Sequence, residues 1–295
     1  MTGSRVVVYG DVIDDVVVIP SGPIRPDTDT ASTIRGTAGG AAGNVAAWLA
    51  HLGESVDFVG SVGAADVERH RAVFDGAGIR SHLSADAHLP TGAIVLLIDG
   101  ETRSMLTQRG ANSALDPASV TDELLDAAAL LYLSGYTVMD CRDPAALATL
   151  LERAAARGVE VAVDPASAGD ITDLGARTVL ERIAGATIVF PNLDEGRALT
   201  GLDDPAVIAA GLGERFDVVA LTNGPHGAIV VQGGAAPVTV PAVSTHIVDP
   251  TGAGDAFAAG FLHAWARSPD AVAAANAGVA VAARAVQAIG GRPVG

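Results

Sequence analysis

Val248–Ala266, V-D-P-T-G-A-G-D-A-F-A-A-G-F-L-H-A-W-A, is the stretch on which the fold turns. It leaves a β-branched strand end through Asp249 and Pro250 and turns at Thr251-Gly252-Ala253-Gly254-Asp255. It then places Phe257, Phe261, Leu262 and Trp265 at helical period. The pattern predicts a strand, a glycine turn and a buried helix. Two glycines in the first turn of a helix let the backbone approach a ligand and aim free N–H groups at it. The helix dipole adds partial positive charge, so such a turn attracts anions. Asp255 lies in the same turn, where a carboxylate can take a proton from a hydroxyl held against the anion, the positioning that phosphoryl transfer needs. The same residues also suit a plain tight turn whose acid favours the helix dipole.

As a whole the string D-P-T-G-A-G-D resembles the C-terminal signature of the ribokinase-like (PfkB) family of sugar and nucleoside kinases. The resemblance implies a ribokinase-like three-layer α/β/α sandwich, with a mainly parallel central sheet and a small β-lid. It implies Asp255 as catalytic base, with Gly252, Ala253 and Gly254 as the anion hole. Asp249 and Thr251 resemble positions where some members bind a monovalent cation, which implies K⁺ as a candidate activator beside ATP and Mg²⁺.

At the other end, Arg5–Tyr9 is a short apolar run ending at Gly10-Asp11, which predicts a buried strand leading to a site. Asp14 and Asp15 follow, then the apolar Val16–Ile19. Acids between apolar strands are costly to bury unless they bind something, and Asp14 is expected to face water. Asp15 stands five residues after Gly10, where similar kinases carry the Asp that binds substrate hydroxyls. Thr28–Thr37 predicts an exposed strand. Next comes G-G-A-A-G-N-V-A-A-W-L-A-H-L-G from Gly39 to Gly53, a helix whose apolar face is Val45, Trp48, Leu49 and Leu52. It resembles the family's N-terminal signature, which implies Gly39, Gly40 and Asn44 as substrate contacts. Many relatives have a lysine in this loop; here Ala41 and Ala42 stand there.

Val56–Val62 predicts a strand and Asp66–Gly76 a helix. Thr91-Gly92 opens an apolar strand that turns at Asp99-Gly100 and returns through Arg103–Thr107, a strong hairpin signal. With residues 12–38 it resembles the family's lid. The expected division is a main α/β domain of residues 1–11, 39–90 and 113–295, under a lid of residues 12–38 and 91–112. Arg109 ends the lid and is a candidate for substrate or phosphate contact, or for a surface ion pair.

Strands and helices then alternate through Leu130–Leu133, Pro144–Arg157, Val159–Val163, Val179–Ala184, Thr187–Phe190 and Val218–Thr222. This predicts a mainly parallel sheet with ligands beyond the strands' carboxyl ends. Asn192 and Glu195 form an N-x-x-E pair that suits water-mediated Mg²⁺ near phosphates or a capping box. Thr222-Asn223-Gly224-Pro225-His226-Gly227 resembles the family's nucleotide loop, which implies Thr222, Gly224 and Gly227 near ATP. Asn192 and Asn276 match family positions on the nucleotide side.

Composition narrows the function. The 295 residues carry 34 acids against 18 basic residues, a formal charge of −16, which argues against nucleic acid and anionic membrane partners. Every basic residue is arginine. Schiff-base, pyridoxal-phosphate and Walker-type lysines are therefore excluded. The single cysteine, Cys141, suits a reducing cytoplasm, and the acids at the start of the chain speak against a signal peptide. No G-x-G-x-x-G follows the first strand, against a Rossmann oxidoreductase. The expectation is an ATP-dependent kinase acting on a hydroxymethyl group of a small sugar such as ribose, fructose or a keto sugar. A nucleoside kinase and a non-catalytic sugar- or nucleotide-binding regulator are the alternatives. A homodimer through the lid edge is a further expectation.

Overall fold

Strand β1 (Arg5–Tyr9) alternates its side chains between two cores. Val6 and Val8 enter one apolar cluster, Val7 and Tyr9 the other. That alternation sets the layering of the molecule, a computed structural model that describes residues 5–99 and 102–294. The strands that follow are β2 (Ile13–Pro20), β3 (Ser32–Gly39), β4 (Ser55–Gly63), β5 (Arg80–Asp86), β6 (Gly92–Asp99) and β7 (Thr102–Gln108). After them come β8 (Ala128–Ser134), β9 (Glu160–Asp164), β10 (Ile188–Val189), β11 (Val218–Thr222), β12 (Ala228–Gln232) and β13 (Val238–Val240).

Nine strands form one sheet in the order β13-β12-β11-β10-β9-β8-β1-β4-β5. Pairing is parallel from β5 to β11, and β12 and β13 are added antiparallel. On one face, Trp48 and Leu49 of the helix Ala41–His51, Phe257 and Phe261 of Ala253–Trp265, and Val279 of Ala271–Ala285 pack on the sheet. On the other, Leu147, Leu150 and Leu151 of Pro144–Ala156 join Leu199 of Leu193–Thr200 and Ile208 of Pro205–Gly213. Each of these side chains stabilises the fold by about 1.5–3 kcal/mol relative to exposure. The architecture is the expected α/β/α sandwich.

A second sheet has four strands, β3-β2-β6-β7, with β2 and β6 parallel and both outer pairs antiparallel. The 91–107 hairpin appears as β6 and β7, with Asp99 opposite Thr102. Gly100 of its expected turn lies outside the described residues. The strand expected at Thr28–Thr37 runs instead from Ser32 to Gly39, because its pairing with Ile13–Pro20 carries it to the Gly-Gly step. Arg80–Asp86 gave no strand signal, being an edge strand with mostly polar, exposed side chains.

Candidate active site

The glycine turn and the buried helix form as the sequence implies, but the strand expected to end at Val248 does not: the chain is irregular between Val240 and the turn, and the Val248 and Asp249 amides donate to Val286 O at 2.8 and 3.1 Å. Gly252 caps the helix Ala253–Trp265 in the left-handed region, at φ 75°. A Cβ there would stand 2.4 Å from the Gly291 Cα, so only glycine fits. Asp249 Oδ1 accepts from the Thr251 amide at 3.0 Å and its hydroxyl at 2.7 Å, while Oδ2 accepts from the Gly290 amide at 3.0 Å. The tail is pinned again where the Trp48 indole donates to Gly291 O at 2.9 Å. These contacts place the first turn of the helix against residues 290–292.

Asp255 follows in that turn and is joined to the N-terminal signature. The Asn44 amide donates to Asp255 Oδ2 at 2.8 Å. Burial raises the Asp255 carboxyl well above the usual range, the Asn44 bond opposes this, and nearby Asp164, Asp11 and Asp15 raise it further. A carboxylate so placed is a stronger base than an exposed one.

Asp255 borders a cavity of about 240 Å³, whose floor also carries Asp11, Asp15, Asp164 and Glu195. Asp11 is buried and accepts from the Ala41 and Ala42 amides at 2.9 and 3.2 Å, capping the helix Ala41–His51. Asp15 presses on Gly39, where a Cβ would stand 2.0 Å from Asp15 Oδ2. Burial pushes Asp15 up to about 6, against the opposing charge of Arg292. The β2, β6 and β7 side chains Val17, Ile94, Leu96 and Met105 roof the cavity. Arg109 lines it too, but its guanidinium is shared between Asp140 at 3.2 Å and Asp170 at 3.0 Å and lies 4.1 Å over the Tyr136 ring. Asp14 faces outward and pairs with Arg69.

A second cavity, about 260 Å³ and mostly apolar, lies across the same turn. Thr222, Gly224 and Gly227 line one side, Val279, Ala283 and Val286 another, and Pro250, Ala253 and Gly254 the third. The turn is thus a shared wall, with Asp255 on the polar side and Gly254 on the apolar side. Asn276 is not brought here. It shares a helix stripe with Val279 and Ala283 but lies one turn earlier, roughly 4.5 Å along the axis from Val279, exposed and bonded to Val272 O at 2.7 Å.

Asn192 and Glu195 form the capping box: Asn192 accepts from the Glu195 amide at 2.9 Å and its own amide donates back to Glu195 Oε2 at 2.9 Å. Glu195 still borders the acidic cavity, while Asn192 lines neither cavity. Burial and the neighbouring Asp164 push Glu195 up to about 9. Asp164 is likewise pushed up, to about 6. A buried and a half-buried acid that resist ionisation are a fit for a hydrated cation, which would relieve both. Among the described residues, no group of three His, Cys, Asp or Glu side chains forms a direct metal cage.

Against known proteins, the sequence matches the pfkB family carbohydrate kinases over residues 4–294. The chain belongs to the pfkB family. It is 34% identical over 230 residues to the bifunctional protein HldE of Methylococcus capsulatus, covering 73% of this chain but only 45% of that protein. It is 30% identical over 253 residues to the ATP-dependent ribose-1-phosphate kinase of Halopiger xanaduensis, covering 83% of this chain and 80% of that protein. The adenosine kinase structure from Sinorhizobium meliloti superimposes with a TM-score of 0.87 at 26% identity, over all of this chain and 97% of that one. The ribokinase-like fold is therefore secure.

Two residues of this pfkB-family site escaped the sequence reading. Asp164 ends strand β9 before Pro165, a polar strand end of the kind that marks ligand sites in parallel sheets, and could have been found on that ground. Arg292 has no local signature at all. It lies beyond the last helix and reaches Gly39 O at 3.1 Å and Asn44 Oδ1 at 3.4 Å.

Proposed function

We propose that this pfkB-family kinase transfers the γ-phosphoryl group of ATP to a hydroxymethyl group of a small sugar, with Asp255 as general base. The observation that carries the reading is the shared wall: a carboxylate and a glycine turn stand between an acidic polyol-sized cavity and an apolar cavity lined by Thr222, Gly224 and Gly227. Asp15 would accept two hydroxyl hydrogen bonds from the sugar. Asn44 orients Asp255, which takes the proton from the attacking hydroxyl. The amides at Gly252–Gly254 face the charge that develops on the transferring group. Asp164 and Glu195 are the residues suited to hold the hydrated Mg²⁺ that accompanies ATP, and the metal would neutralise phosphate charge. The four-stranded sheet would serve as the lid that keeps water from the donor.

A nucleoside acceptor is the second reading, favoured by one feature. The roof of Val17, Ile94, Leu96 and Met105 is apolar and offers a base or other uncharged substituent a surface to cover. The outer face of the same sheet bears Ile34 and Leu106, 64% and 66% exposed, which supports self-association through the lid; sedimentation would show a dimer that Leu106→Asp disperses. The bonds from Asp249 to Thr251 and Gly290 favour a loop clasp. K⁺ activation is retained only if exchanging K⁺ for choline slows turnover.

The test is ATP-dependent ADP release with Mg²⁺ across ribose, fructose, keto sugars, ribose 1-phosphate, adenosine and pseudouridine. One acceptor turned over well supports the kinase and names its class. Tight acceptor binding with no transfer across the panel would favour a non-catalytic regulator.

A further inference from the structure

A segment far along the chain from both signatures packs against the site. Gly290, which lines the acidic cavity, and Gly291 are fixed by Asp249 and Trp48, and the side chain of the next residue reaches the Gly39–Asn44 turn. Arg292 Nη2 donates to Gly39 O at 3.1 Å, and its Nε donates to Asn44 Oδ1 at 3.4 Å. The guanidinium also lies 5.6 Å from the Phe74 ring and rests on the helix at Gly43, where a Cβ would come within 2.7 Å of Nη2. It is a partly buried cation in a chain without lysine, held by a carbonyl, an amide oxygen and a ring.

We infer that Arg292 is a positioning residue of the acceptor site, fixing the Asn44 amide so that its N–H points at Asp255 and setting a positive charge beside Asp15. An amide side chain can stand either way round, and its neighbours decide which. A guanidinium only donates, so it selects the Asn44 oxygen, and the nitrogen is left for the Asp255 carboxylate. The same guanidinium meets the Gly39 carbonyl, and Asp15 presses on the Gly39 Cα. Arg292 therefore reaches both carboxylates of the acceptor site, one through Asn44 and one across Gly39. Among the charges that act on Asp15, Arg292 from the tail favours the ionised carboxylate, while Asp11 and the outward-facing Asp14 oppose it, so Arg292 supplies the compensating charge. The Gly39–Asn44 loop of this chain offers Ala41 and Ala42, with no cation of its own.

The inference rests on the kinase reading, and two variants test it separately from that reading. Arg292→Ala deletes the guanidinium. Gly43→Ala keeps the arginine but puts a methyl 2.7 Å from Nη2, which pushes the guanidinium off its partners, and alanine strengthens the helix it joins. With the best acceptor of the panel, both variants lower kcat/KM for acceptor about 10- to 100-fold, the scale of a lost charge-assisted hydrogen bond. The KM for ATP stays within about twofold, and Gly43→Ala melts no lower than wild type. Guanidinium ion added to Arg292→Ala restores part of the rate. Acceptor kinetics within twofold of wild type in Gly43→Ala and Arg292→Ala overturn the inference, as does a rise in both KM values together. A wild type silent on the whole panel takes down the kinase reading and this inference with it.

Discussion

Gly252 and Gly254 sit two residues apart in one turn, yet alanine at each should fail in a different way. At Gly252 the backbone is left-handed, which costs an alanine about 1–2 kcal/mol. Its Cβ would stand 2.4 Å from the Gly291 Cα and 2.9 Å from the Gly291 carbonyl oxygen. Carbon atoms rest at about 3.5 Å, so the turn or the tail must move by roughly 1 Å. A displacement of that size at reacting groups costs about 100-fold in rate. Gly252→Ala should therefore lower kcat about 100-fold and the melting temperature by several degrees, with about 2 kcal/mol lost in all. At Gly254 a Cβ meets nothing within 4 Å and the backbone is helical, so the fold is kept or slightly strengthened. The new methyl instead projects beside the apolar cavity that Gly254 lines, the proposed nucleotide site. Gly254→Ala should raise the KM for ATP several-fold while leaving the melting temperature and the acceptor KM alone. Steady-state kinetics with both substrates varied, run beside thermal melts, separate the two. A Gly252→Ala enzyme with wild-type rate and melting temperature would refute the reasoning.

Asn44→Ala removes the 2.8 Å bond to Asp255 and should lower kcat about 10- to 100-fold, with ATP binding unchanged by calorimetry. Asp15, held up to about 6 by burial, must be ionised to accept two hydroxyls, so acceptor KM should rise as pH falls through about 6 and level off above it. A flat KM profile from pH 5 to 8 would remove Asp15 from that role. Asp164→Asn removes the half-buried one of two mutually repelling acids. The metal-free protein should then melt about 2–4 °C higher near pH 8, while losing the stabilisation that added Mg²⁺ gives the wild type. The sign follows from both carboxyls being raised: charging them costs folding energy as pH rises through their folded values.

The legible parts of the site were those built by short runs of chain. Glycine and acid stand within a few residues of each other at Gly10–Asp15 and Asp249–Asp255; the turns were legible locally, the strand expected before Asp249 is absent, and the roles of the acids were implied by the resemblance to the family signatures. The Asn192–Glu195 pair was legible as two alternatives, and the capping box is there while Glu195 still borders the acidic cavity. What stayed hidden depends on contacts across the chain. Arg292 meets Asn44 across 248 residues, and nothing in the sequence around either announces the other. The turn's dependence on the tail, through Gly252 against Gly291, is a tertiary fact of the same kind. Asn276 shares its helix with Val279 and Ala283 of the apolar cavity, and its exposed amide bonds Val272 O one turn before that lining. Arg109, open in the sequence between phosphate contact and ion pair, has its guanidinium shared by Asp140 and Asp170 at the cavity's edge.

The central claim is that Asp255 takes the proton from the acceptor hydroxyl. Asp255→Asn keeps the shape of the side chain and removes the base. Single-turnover phosphoryl transfer by this variant, measured with saturating Mg²⁺·ATP and the best acceptor, should slow by about 10²- to 10⁴-fold. Both substrates should bind as tightly as to wild type. Transfer at a near wild-type rate by a correctly folded Asp255→Asn protein would contradict the account.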